Sequence, residues 1–218
     1  LGNALYDLYA RTGGLTYLDQ AIAYWQATVD LAPPASMLQA ARMNNLGDGL
    51  RTRFMHTHDL QDLEHAIDLL QQAVAAVPPG SQEQARHLTN LGTALMTRHE
   101  ESDRPEDLQK ALEVLTQAYD LGERYRDVRE PAAFLLGVTE YSAYIDDQSP
   151  QRLDAAIAHL QQGISLTSPQ SPHLANILYA LSRSLESRFK LTGEPAGLQA
   201  AVDVYRKACQ RGAVSQPG

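Results

Sequence analysis

The chain has 218 residues, 44% of them hydrophobic and 20% charged, a balance that allows a substantial core and excludes disordered and collagen-like classes. With 18 Lys and Arg against 26 Asp and Glu, its formal net charge of −8 disfavours non-specific attraction to nucleic acid or to an anionic membrane, so protein partners are expected. No apolar run nears the roughly 20 residues of a membrane-spanning helix, no secretory leader opens the chain, and the single Cys209 has no second thiol for a disulfide or metal motif, which reads as cytoplasmic.

Taken in chain order, the residues fall into units of 45. The first, approximately 1–35, opens with Leu1-Gly2 in what reads as the middle of a helix, so the chain is expected to be a piece of something longer. It continues with Leu18, Ala21 and Ile22 and stops at Pro33-Pro34. In the second, 36–80, Ala40, Met43, Leu46, Leu50 and Phe54 recur every three or four residues and predict a helix A. Leu60, Leu63, Ala66, Ile67, Leu70, Ala73, Val74 and Val77 predict a helix B, ended by Pro78-Pro79-Gly80. The third, 81–125, repeats Leu-Gly at 91–92 and Leu108, Ala111 and Leu112, with Pro105 suited to a first helical turn, as Pro150 and Pro195 are in later units.

The fourth unit, 126–170, departs from the pattern. Leu121, Tyr125 and Val128 continue the spacing of the preceding helix B, so that helix is expected to be longer and the next helix A to start near Pro131. Glu140 stands where other units have Leu5, Leu50, Leu95 and Leu185, so packing or exposure should differ there. Ser149 is the expected N-cap of its helix B, which stops at Ser168-Pro169. The fifth, 171–215, carries Leu181-Ser182, then Leu198, Ala201 and Val202. Gly47, Gly92, Ala66 and Ala111 lack bulk where helices A and B would meet, and a helical Gly costs up to about 1 kcal/mol against Ala, so its recurrence needs a packing reason.

Asn-Leu-Gly at 45–47 and 90–92, followed by Ala66 and Ala111 and by Pro78, resembles the tetratricopeptide-repeat (TPR) signature over nearly the whole chain. The usual unit is about 34 residues, so the helices should be longer here. The long variant resembles arrays that accompany caspase-like CHAT protease domains or NTPase modules, although no His-Cys dyad stands in context within these residues. The resemblance implies an all-α fold: a single domain over 1–218, a right-handed α-α superhelix of about five hairpins whose A helices line a concave groove. It implies no catalysis, cofactor or metal. It implies a protein- or peptide-binding scaffold that regulates an attached effector, the alternative being a spacer or self-associating array joined through its exposed ends.

On the groove the resemblance places Asn3, Asp7, Asn44, Asn45, Asp48, Arg51, Thr89, Asn90, Thr93, Thr97, Phe134, Val138, Tyr141, Tyr179, Arg183 and Glu186, with Arg86 one turn earlier. A ladder of carboxamides at Asn45 and Asn90 can pair with a peptide backbone; equally it can bridge neighbouring helices. Phe134, Val138, Tyr141 and Tyr179 form either an anchor pocket or core. His56 and His58 lack a thiol or ordered carboxylate partner for metal, and His65, His87, His99, His159 and His173 read as surface or boundary residues. Cys209 shares its position with Val29, Val74, Tyr119 and Ile164 and is expected in the core.

Overall fold

The computed structural model describes residues 1–34, 36–171 and 173–210. Among them lie ten helices and no strand: α1 (Gly2–Thr12), α2 (Leu15–Val29), α3 (Met37–Thr57), α4 (Leu60–Ala75), α5 (Gln82–Ser102), α6 (Pro105–Leu121), α7 (Arg126–Asp147), α8 (Pro150–Leu166), α9 (Leu174–Thr192) and α10 (Pro195–Gln210). The fold is all-α, of the α-α solenoid kind. None of these helices is long and apolar enough to cross a membrane. The chain divides into two compact units, residues 1–114 and 115–218, described separately below.

The end of every odd-numbered helix shows why the 45-residue spacing holds. Gly13, His58, Asp103, Gln148 and Gly193 all adopt left-handed φ between 50° and 71°. Each donates its backbone N–H to the carbonyl four residues back, at Tyr9, Phe54, His99, Tyr144 and Phe189. This αL ending satisfies an orphan carbonyl and turns the chain into the following helix within two or three residues. Three of the five are not glycine, and the spacing of hydrophobic residues gave no sign of them. Starts are capped too: the Ser36 and Ser81 hydroxyls accept from the Gln39 and Gln84 backbone N–H, both at 3.1 Å, and the Asp59 carboxylate accepts from Gln61. Ser149 occupies the N-cap position, but its hydroxyl bonds the Gln151 side chain instead, while Asp147 Oδ1 accepts the Ser149 N–H.

The boundary of the fourth repeat differs from the sequence expectation. Helix α6 stops at Leu121 and is not extended to Val128. At Gly122 the chain folds back so tightly that a Cβ there would meet Arg129 Cα at 2.8 Å, and the turn closes with Tyr125 N–H donating to the Gly122 carbonyl at 3.1 Å. Helix α7 begins at Arg126, so Pro131 sits inside it and forfeits one intrahelical bond. Glu140 is half-buried and pairs with Arg152 at 3.1 Å. In unit 1 the residues at the Arg152 position are Asp62 and Asp107, bonded bidentately by Arg53 and Arg98 at 2.6–2.7 Å. The fourth repeat therefore inverts the charge and supplies its acid from α7.

In the first unit, Leu18, Ala21, Ile22, Trp25 and Val29 of α2 pack against Leu46 and Leu50 of α3 and Ala66 and Leu69 of α4. In the second, Leu153, Ile157 and Leu160 of α8 pack with Tyr144, Ile177, Leu181, Leu185 and Ala201. Paired helices meet at the small residues. A Cβ on Gly47 would lie 2.8 Å from Leu70 Cγ and 3.1 Å from the Ala66 carbonyl oxygen; two repeats on, one on Gly137 would lie 2.7 Å from Leu160 Cγ and 3.2 Å from the Ala156 oxygen. Glycine recurs at this position because backbone, not only a movable side chain, occupies the space a methyl would need.

Two histidines expected at surface or boundary positions are buried. His87 lies with Nδ1 3.1 Å from the Ala73 carbonyl, and His99 Nδ1 lies 3.0 Å from the Arg104 carbonyl. Each imidazole sits on a residue that its helix turns inward, at a place where a backbone carbonyl offers it a partner. Burial holds the His87 imidazole below the ordinary histidine range, with the Ala73 bond opposing the shift. Cys209, expected in the core, is exposed on α10, because no helix packs over that side of α10 among the described residues.

Two measurements follow from this packing. Gly137→Ala is expected to lower unfolding stability by about 1–3 kcal/mol through overpacking, whereas Gly163→Ala, whose Cβ meets nothing nearer than 3.6 Å, raises it by up to about 1 kcal/mol. Urea midpoints in which Gly137→Ala matches or exceeds the parent would remove the close-approach argument. The second concerns acid. As pH falls below about 6.5 the unfolded chain protonates at His87 before the folded chain does, so stability drops through that window. His87→Gln is expected to unfold with a shallower dependence on pH below neutrality, and an unchanged slope would refute the assignment.

Candidate functional site

Within the first unit the A helices α1, α3 and α5 stand side by side, tied by side chains 42 to 47 residues apart. Tyr6 Oη donates to Asp48 Oδ2 at 3.2 Å and lies 3.1 Å from Thr52 Oγ1, and Tyr9 Oη meets His56 Nε2 at 2.6 Å. Burial first, and then the neighbouring Asp48 carboxylate, push the Tyr6 phenol above its ordinary range. Asp48 also takes the Arg51 guanidinium at 2.9 Å. Asp48 and Arg51 thus share a half-buried wall with Tyr6, and their charges largely answer each other.

The carboxamides form a continuous relay. Asn90 donates to Asn44 at 2.9 Å, Asn44 to Asn45 at 3.5 Å, and Asn45 to Asn3 at 3.2 Å, while Asn3 also accepts the Trp25 indole N–H at 3.2 Å. One relay therefore spans three A helices and is anchored on a core tryptophan. Each amide spends part of its capacity on a neighbouring helix, the bridging role left open by the sequence, yet Asn45 and Asn90 are only half-buried and keep donor capacity beyond these bonds.

Other predicted wall residues divide by burial. Asp7 and Arg86 are exposed on α1 and α5. Thr93 is half-buried, with its hydroxyl turned back to the Thr89 carbonyl at 3.0 Å. Thr89 and Thr97 are buried, contrary to their expected place on an open wall; their hydroxyls donate to Ala85 and Thr93 of the same helix at 2.9 Å. A threonine that bonds its own helix in this way can face inward without leaving a polar group unpaired.

In the second unit α7 and α9 flank a cavity of about 370 Å³ lined by Phe134, Val138, Tyr141, Asn176, Tyr179, Ala180 and Arg183. The structure thus brings together five residues named from the sequence. Phe134, Val138 and Tyr141 pack against the core on one side and line the cavity on the other, so the core and pocket readings both describe them. Tyr141 Oη lies 3.0 Å from Ser187 Oγ, which ties the two helices at one end. Ala180 stands at the position of Asn45 and Asn90, where it interrupts the carboxamide ladder, and Asn176, one turn before it on α9, is a lining residue that the sequence reading did not name. A neighbouring cavity of about 360 Å³ between α9 and α10 is lined by Tyr179, Ser182, Arg183, Glu186, Leu198, Ala201, Val202 and Tyr205. Among the described residues no group of three or more His, Cys, Asp or Glu could hold a metal ion.

No protein-family profile matches the chain, and no curated protein matches it either. Solved structures do. A kinesin light chain candidate from Podospora anserina, built of nearly identical TPR-like repeats, superposes with a TM-score of 0.64 at 14% identity, covering 98% of this chain and 97% of that one. The thermophilic TPR protein TTC0263 of Thermus thermophilus gives 0.63 at 18% identity, with 99% and 93% covered. The MamA protein gives 0.56 at 18%, with 96% and 91% covered. At such identities the likeness establishes the fold, that of a TPR-like array, and does not extend to a ligand.

Proposed function

We propose that this chain is a non-catalytic interaction scaffold that receives a protein segment on the walls of its A helices, principally at the α7/α9 cavity, and that it serves an effector attached in a longer cytoplasmic protein. The observation that supports this best is the cavity itself. Aromatic and aliphatic side chains open to solvent between two helices at a volume suited to anchoring a side chain, with an amide and a guanidinium among the lining residues. The half-satisfied Asn45 and Asn90 amides of the first unit suit contact with an extended backbone. The net charge of −8 argues for protein and against nucleic acid or anionic membrane as the partner.

Selection of a random-peptide phage library on the 218-residue chain tests this reading. Peptides recovered from it are expected to lose at least about tenfold in affinity on Tyr179→Ala, a hot-spot loss of about 1.4 kcal/mol or more. Tyr179 is exposed enough that its truncation leaves the fold intact by circular dichroism. Failure to enrich any peptide, or enrichment of peptides indifferent to this change, defeats the assignment of the cavity.

A spacer or self-associating array is the second reading, and one observation favours it. Leu198 and Tyr205 on α10 are 40% and 41% exposed, while their counterparts one repeat earlier, Leu153 and Leu160, are buried under α9. An apolar face of this kind invites cover by another helix. Light scattering is expected to show concentration-dependent association that Leu198→Glu abolishes, and a monomer throughout the concentration range would set this reading aside.

A further inference from the structure

We infer that the opening turns of α7 and α9 form a second site, apart from the aromatic cavity described above, that receives a long basic side chain of a partner protein segment, with Glu130 as the residue that meets its charge.

Register sets Glu130 apart. Its counterparts in the other A helices are Ala40, Ala85 and Ala175, all buried, whereas Glu130 is a half-buried acid. Placing a carboxylate where the other repeats bury a methyl costs desolvation and needs a compensating partner. Thr167, at the end of α8, stands where the second and third units have Val77 and Gly122, and its hydroxyl donates to Glu130 Oε1 at 2.9 Å. That hydroxyl carries one proton, and the Gly163 carbonyl draws on it as well at 2.8 Å. Glu130 therefore holds a share of a single hydrogen bond from its one partner among the described residues. Arg129, its neighbour in sequence, is turned to the Tyr119 ring at 4.9 Å. A carboxylate near a helix start can serve the helix dipole alone, which accounts for Asp127 in the first turn of α7. Glu130 lies beyond that turn, where the dipole no longer explains it.

Glu130 borders a cavity of about 360 Å³ that it lines with Asp127, Pro131, Phe134, Leu135, His173 and Ile177. Only Phe134 also lines the aromatic cavity. No Lys, Arg, amide or hydroxyl side chain is in this lining, whose polar side chains are two carboxylates and one imidazole. A long basic side chain matches it in both of its parts: its methylenes lie along Pro131, Phe134 and Ile177, and its charged head bonds Glu130. An acidic ligand meets like charge there, and an apolar one strips water from Glu130 without replacing it. Both carboxylates come from α7, three residues apart and so on one helix face, which leaves the cavity with a single charged side. That suits a side chain whose other end is a neutral backbone, and not a small diamine, whose second ammonium finds no acid.

Capped pentapeptides Gly-Ser-X-Ser-Gly, with Arg, its neutral isostere citrulline, or Glu at X, provide the probe, and Ile177 provides the reporter because it lines the cavity. On the intact chain labelled at its isoleucine methyls, the Arg peptide is expected to shift the Ile177 resonance with an affinity at least about tenfold above that of the citrulline peptide, and the Glu peptide to leave it in place. Glu130→Ala, which installs the residue of the other repeats and is therefore expected to fold, removes that advantage, whereas Tyr179→Ala retains it. Equal shifts by the Arg and citrulline peptides, or no shift by either, overturn the site. So does a shift of Ile145, exposed near the far end of α7, that matches that of Ile177 and survives Glu130→Ala, since it would show only general attraction to an acidic chain. Tighter binding of putrescine than of the Arg peptide overturns the assignment of a protein segment as the occupant. None of these outcomes bears on the aromatic cavity, which the library selection and Tyr179→Ala test separately.

Discussion

The structure depends on the close approach of two helices at a residue without a side chain. Where Gly47 faces Leu70 and the Ala66 carbonyl, and where Gly137 faces Leu160 and the Ala156 carbonyl, a single methyl would occupy space already filled by atoms of the facing helix, part of them backbone. Backbone cannot move aside as a side-chain tip can, so these contacts set the spacing between helices and thereby the position of every residue beside them. Gly costs helix stability of about 1 kcal/mol against Ala, and it recurs here because the large residues flanking it, Leu46 and Leu136 among them, reach full burial in consequence.

A fixed spacing alone would not keep five hairpins in register. The αL endings at Gly13, His58, Asp103, Gln148 and Gly193 do so by ending each A helix on the same residue of the unit. Buried ion pairs add a second constraint. Asp107 is only 3% exposed in its side chain and takes two guanidinium nitrogens of Arg98, so a slip of one residue would leave a carboxylate uncompensated inside the protein. Glu64 of the preceding B helix also meets Arg98, and Asp19 stands 3.5 Å from Arg53 one repeat earlier. In the third unit Gln109 stands at the acid's position, and in the fourth Ala143 stands at the arginine's, so this ladder has no charged members there. The same repeat carries Pro131 within a helix and the inverted Glu140–Arg152 pair.

Helix identity and most of the core were legible because they depend on period, and period survives in one sequence without any relative to compare. Leu18, Leu63 and Leu153, placed at a 45-residue step, are all essentially inaccessible in the structure. What escaped depends on contacts that leave no periodic trace. Tyr125 and Val128 fit the spacing of a longer α6, but the close fold-back at Gly122 outweighs that spacing. Thr89 and His87 looked suited to a surface because their side chains are polar, yet each finds a backbone carbonyl inside the helix packing and is buried with that polar group paired. Arg53 and Arg98 did share the step, as did Asp62 and Asp107, so the ion pairs could have been read from the sequence had charged residues been aligned as the apolar ones were.

The site shows the same division between pattern and partner. The resemblance to a repeat family placed residues on the wall by position alone, and position treats Asn45, Asp48, Tyr141 and Arg183 alike. Chemistry separates them. On the first wall the polar groups answer one another through the relay from Asn90 to Trp25 and through the Asp48–Arg51 pair, so a ligand there must compete with bonds already made. On the second the aromatic side chains of Phe134 and Tyr179 border open volume, and Arg183 beside them meets only the hydroxyls of Tyr179 and Tyr141 as hydrogen-bond partners among the described residues. Binding energy comes most readily from groups whose partners water alone supplies, because water is what a ligand displaces. For that reason the proposed binding is assigned to the α7/α9 cavity and not to the better-connected asparagine relay.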